Sequence, residues 1–161
     1  HDLLPNRTGG AIMQKNLEIL GDIQYSKDEI DFALDMQKAN GKPLIGIDGK
    51  IRPLRETLES PGGGSTDVGD VSYNMPVVSL AVTTAPKGVP WHSWSVVASS
   101  GMSIGHKGML HAAKALGMSM IDIYKDKKLR EEIKKEFDER IGDYNYDPYL
   151  NPGPPPIDYV D

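Results

Sequence analysis

The sequence predicts an α/β fold with few strands and flanking helices, and three observations carry that prediction. Met75 to Val82, MPVVSLAV, is β-branched and apolar on both alternating faces, as a strand covered by helices on both sides would be. A loop broken by Pro86, Gly88 and Pro90 follows it, and then a long, broadly apolar helical stretch begins at Ser103. Strand, loop and buried helix in succession are the pattern of a sheet domain whose sites sit in the loops at the strand ends. In that loop stands Pro90-Trp91-His92-Ser93-Trp94, with both tryptophans of the chain flanking one histidine.

The elements follow in order. Thr8 to Leu20 places Ile12, Leu17 and Leu20 at near-helical spacing, and Gly21 is a natural stop. Ser26-Lys27-Asp28-Glu29 fits a capping box, in which Ser and Glu satisfy orphan backbone donors reciprocally. A helix is therefore predicted from Lys27 to about Asn40, with Ile30, Ala33 and Leu34 inward and Gly41 ending it. Pro43 to Ile47, PLIGI, with Asp48-Gly49 after it, reads as a short strand and tight turn. The run KIRPLRETLESPGGG has no clear period, is broken by Pro53 and Pro61, and is taken as irregular.

Beyond the second strand, Ile104, Leu110, Ala112, Ala113, Leu116, Met120 and Ile123 make a long, broadly apolar helix from Ser103 to about Tyr124. Lys125 to Arg140 reads as a charged helix with a narrow stripe of Leu129, Ile133 and Phe137, its charges a solvated face laced with i,i+4 pairs. Residues 142–161, rich in Pro and Tyr, are expected to lie extended on a surface.

Composition excludes several functions. A net charge of -5 leaves no basic surface for a phosphate backbone, so nucleic acid is not an expected partner. Polar residues or glycine interrupt every apolar run before it could span a bilayer, so no membrane association is expected and a cytoplasmic location is. Cysteine is absent, which removes disulfides, thiolate metal sites and cysteine nucleophiles, so any metal would rest on His, Asp or Glu. The opening HDLLPNRTGG reads as the middle of a polypeptide.

Four groups of residues could carry chemistry. Pro61 to Asp67, PGGGSTD, lets the backbone approach a ligand closely, but no Lys follows the glycines and no G-x-G-x-x-G exists. Nucleotide binding is rejected, and a loop capped by Thr66 or Asp67 is the simpler reading. Asp67 and Asp70 are three apart, so on one helical turn they could share a cation or simply cap and solvate. His106 and His111 are five apart, about 140° past a full turn, and cannot face one metal together. His92, between proline and indoles, is either a packing corner or a metal ligand awaiting partners from elsewhere.

The strings GGGSTDVGDVSYNMPVVSLAV, PWHSW and SIGHKGMLHAAKAL resemble the C-terminal part of the aminobenzoyl-glutamate utilisation protein B group of amidohydrolases. That group belongs to the broad zinc aminoacylase, acetylornithine deacetylase and glutamate carboxypeptidase family. The likeness runs from about Leu4 to about Ile141, so residues 1–141 are expected to be the C-terminal portion of a catalytic domain, an αβα sandwich whose N-terminal half and lid are absent. The resemblance implies two divalent metal ions, zinc or manganese, held only in the intact protein, and hydrolysis of small N-acyl amino acids such as p-aminobenzoyl-glutamate by metal-activated water.

By the same resemblance His92 is the last metal-binding histidine, and Gly63, Gly64, Thr66 and Asp67 belong to the substrate-side loop. The His-x-Asp and Glu-Glu ligand pairs, one Glu serving as general base, are expected upstream. No His-x-Asp occurs here, and Glu131-Glu132 lies in the charged helix. No catalytic residue is therefore assigned to this chain, which alone is expected to be inactive. Proline and indoles around His92 would wall the site against water. Association with a second copy or with a different chain would run through the lid. The competing expectation is a non-catalytic structural or interaction module that retains the fold.

Overall fold

The computed structural model describes residues 1–54, 66–149 and 153–154. Six helices follow one another: α1 Arg7–Leu20, α2 Lys27–Ala39, α3 Val68–Ser72, α4 Trp94–Ser100, α5 Ser103–Lys125 and α6 Lys127–Ile141. Helix α5 is the centre, packing against α1, α4 and α6.

The α/β expectation is corrected. Among the described residues every regular element is a helix and there is no strand, so neither the few-stranded sheet nor the αβα sandwich is formed by them. Residues 43–47 and 76–82 are non-helical, but a strand exists only where its backbone pairs with a neighbour about 4.8 Å away. Residues 76–84 instead run against helices. A Cβ on Gly9 of α1 would lie 2.2 Å from Val78 Cγ2, and one on Gly108 of α5 would lie 2.4 Å from the Thr83 carbonyl oxygen. Glycine at both positions is what allows this approach. The β-branched composition favoured extended backbone, and the partner that would make it a ladder is not among the described residues.

Local signals set the helix ends well. Ser26 Oγ accepts from Glu29 N and the Glu29 carboxylate accepts from Ser26 N, completing the capping box of α2. Helix α1 starts at Arg7, where Asn6 accepts from Gly9 N at 2.8 Å and donates to the Ile133 carbonyl at 2.9 Å. From α6, Glu136 accepts from Arg7 N at 2.8 Å and from Thr8 N and Oγ1 at 2.7 Å. A carboxylate over the α1 N-terminus meets both its orphan donors and its dipole. Burial works to raise the Glu136 pKa, but these bonds and Arg140 outweigh it and bring it down to about 2.

Leu129, Ile133 and Phe137 are all buried, as their spacing predicts, and i,i+4 pairs such as Lys127–Glu131 and Lys134–Asp138 lace the outer face of α6. Helix α5 forms over the expected span and buries mostly its small residues. Its buried residues are Ile104, Gly105, Gly108, Ala115 and Ser119, whereas Leu110, Leu116 and Met120 are exposed. Small residues face inward because the backbones of Ser100 and Thr83 come within contact of the helix there. No described helix is long and apolar enough to cross a membrane.

Candidate functional site

The loop from Pro86 to Ser93 is anchored from below. Pro86 and Val89 are buried, and the Lys87 amide donates to the Gly46 carbonyl at 3.1 Å. Ser93 donates its hydroxyl to the Pro90 carbonyl and caps α4 as an extended residue. Between these anchors His92 has φ 59°, the one left-handed non-glycine among the described residues. Such backbone costs about 1–3 kcal/mol and persists only where its surroundings over-determine it, often at functional sites.

Trp91 and Trp94 are 70% and 57% exposed, so they do not form the water-excluding wall expected around the imidazole. Pro90, Trp91, His92 and Trp94 are all exposed around the reversed backbone, while Ser93 is half-buried. Of the histidines, His1 is the one whose ring is hydrogen-bonded; the His92 ring is exposed and unpaired among the described residues. Trp91 also borders a groove of about 730 Å³ between α1 and residues 79–89, lined in part by Met13, Leu17, Leu80 and His111.

The implied metal needs a nitrogen donor that is not already committed, and His92 fits as one such ligand. The described residues contain no group of three or more His, Asp or Glu able to hold an ion, so they do not make a complete centre. His106 is exposed and His111 half-buried on α5.

Thr66 and Asp67 are exposed at the start of α3. Thr66 Oγ1 accepts from Val68 N at 3.3 Å, while Asp67 makes no side-chain cap. Gly63 and Gly64 lie outside the described residues. The two aspartates are not brought to one cation: Asp70 is bonded to His1 Nδ1 at 2.6 Å and accepts from Tyr146 OH at 3.2 Å.

That cluster is not foreseen from the sequence. His1 Nε2 lies 2.7 Å from Tyr144 OH, and its ring stacks on Tyr149 at 4.4 Å and 10°. Tyr73 donates to Asp2 at 3.1 Å, and burial together with that bond raises its pKa. Both ring nitrogens of His1 are engaged, which leaves no lone pair for a metal. The only sequence signal was the tyrosine-rich DYNYDPY, separated from His1 by more than a hundred positions.

Comparison with known proteins adds what the geometry lacks. The chain is similar to the B subunit of p-aminobenzoyl-glutamate hydrolase from Escherichia coli (strain K12), at 31% identity over 157 aligned residues covering 83% of this chain and 33% of that protein. The likeness read from GGGSTDVGDVS, PWHSW and SIGHKGMLHAAKAL is therefore a likeness to a hydrolase subunit. The chain spans about a third of the length of the curated relative it matches. No family model matches it, and no solved structure matches it.

Proposed function

We propose that this chain is part of a metal-dependent amidohydrolase that cleaves the amide bond of small N-acyl amino acids such as p-aminobenzoyl-glutamate. His92 supplies one ligand to a pair of divalent ions, zinc or manganese, whose other ligands and general base stand on the rest of the protein. The observation that carries this reading is an unpaired, accessible imidazole held on left-handed backbone in a chain similar to a hydrolase subunit. Bound there, such a metal would supply Lewis acidity toward an amide carbonyl and toward water. His92 donates a nitrogen lone pair and moves no proton. Thr66 and Asp67, with Gly63 and Gly64, form the substrate-side loop.

The test is metal content of the intact protein with His92→Ala. Metal content should fall sharply, and wild-type content in that variant refutes the assignment. The 161 residues alone should give no turnover of p-aminobenzoyl-glutamate; measurable hydrolysis by them would overturn the placement of the general base elsewhere.

A second reading is a non-catalytic interaction module. It draws on the exposed apolar face of α5, with Met109, Leu116, Met120 and Tyr124 outward. Association through that face should then survive His92→Ala and fail in Met120→Lys, measured by sedimentation.

A further inference from the structure

Two polar side chains at the C-terminal end of α2 hold the two ends of the loop that bears His92. Gln37 is fully buried. Its Oε1 accepts from Ile45 N at 2.9 Å and Gly46 N at 2.8 Å, and its Nε2 donates to the Gly46 and Lys87 carbonyls, each at 2.8 Å. Every donor and acceptor of this amide is used, so the side chain has one orientation. One turn further on, Asn40 donates to the Met36 carbonyl and to Ser95 Oγ, both at 2.7 Å. Ser95 is fully buried in the first turn of α4, and its own carbonyl accepts from Ser99 Oγ at 2.7 Å.

Lys87 lies five residues before His92 and Ser95 three after it, so α2 grips the loop on both sides of its left-handed residue. A buried amide that loses its partners costs a free energy of the same order as the backbone strain at His92. The clamp can therefore hold what the histidine backbone would otherwise relax.

We propose that Gln37 and Asn40 are positioning residues that fix the backbone of His92 and aim its imidazole for metal binding. This rests on His92 being a ligand, as read above. Groups that bond a ligand's own ring typically govern affinity by about 10–100-fold, and Gln37 and Asn40, which act on the backbone either side of His92, should fall at the low end of that range.

The experiment measures zinc affinity of the intact protein by competition with a chromophoric chelator, alongside the melting midpoint. The variants are Gln37→Glu, Asn40→Ala, Ser95→Ala, the Asn40→Ala/Ser95→Ala double and His92→Ala. Gln37→Glu keeps both acceptors but turns a carboxylate oxygen toward two carbonyls.

Gln37→Glu and Asn40→Ala should each weaken zinc binding by roughly tenfold or more. Ser95→Ala should also weaken zinc binding, and the double variant should be no worse than Asn40→Ala alone, because Ser95 Oγ acts through its bond to Asn40. If Gln37→Glu does not fold, the Asn40 and Ser95 cycle decides alone. Wild-type affinity in the clamp variants with loss in His92→Ala overturns the positioning role and leaves the ligand assignment standing. Wild-type affinity in all five overturns both. Additive losses that merely follow the melting midpoints mark a structural role and also overturn the proposal.

Discussion

The α1–α6 junction and the His92 loop are built on opposite terms. At the junction every strong group is answered inside the chain: Glu136 covers the orphan amides of Arg7 and Thr8, Asn6 bridges Gly9 and Ile133, and Leu129, Ile133 and Phe137 fill the space between. At the loop a left-handed histidine shows an unpaired ring to solvent and both indoles stand exposed. Only the supports beneath it are satisfied. A region closed on itself contributes stability, whereas a strained region with unspent donors keeps its chemistry for something it has not yet met.

Mutation should separate the two most sharply at Phe137. Phe137→Ala removes a buried ring at the junction and should destabilise the fold by about 3–5 kcal/mol in urea unfolding. A loss under about 1 kcal/mol would mean the junction is not the stability centre. Glu136→Gln keeps the shape and removes the charge over the α1 N-terminus. It should cost about 1–2 kcal/mol in the same measurement.

Acid attacks that junction and the α2 N-terminus together. Burial works to raise the pKa of both Glu136 and Glu29, yet each is brought down to about 2, Glu29 by bonds from Lys107, Ser103 and Ser26. A carboxylate whose folded pKa lies below its unfolded value of 4.5 contributes fully above pH 4.5, and that contribution is lost as pH falls toward 2. Melting midpoints should therefore decline through that window, and Glu136→Gln should flatten the decline. A midpoint that holds constant across the same window would contradict both depressed values.

The smallest effect should have the opposite sign. In metal-free protein His92→Gly relieves the left-handed backbone and should be neutral or stabilising by up to about 1 kcal/mol, although glycine also loosens the unfolded chain. Destabilisation beyond about 1 kcal/mol would show that the imidazole holds the loop, and the contrast between the regions would fail.

Much of the helical layout was legible beforehand. The capping box at Ser26, the stripe of Leu129, Ile133 and Phe137, and the span of α5 are written in residues no more than one turn apart. His92 was legible as a candidate from its neighbours, but its backbone conformation was not. The inward face of α5 is not legible from its broadly apolar sequence, because only the approach of Thr83 and Ser100 to Gly108 and Gly105 decides which side is buried.

Sequence alone determined where α1, α2, α5 and α6 start and stop to within about two residues, because caps, ion pairs and periodicity act locally, whereas α3 and α4 were not read from it. Tertiary structure decided the rest: that MPVVSLAV runs against helices with no ladder among the described residues, that Glu136 caps a helix more than a hundred residues away, and that Gln37 and Asn40 grip the loop of His92. Those outcomes depend on which backbone reaches which side chain across long chain separations, and no local pattern encodes that distance.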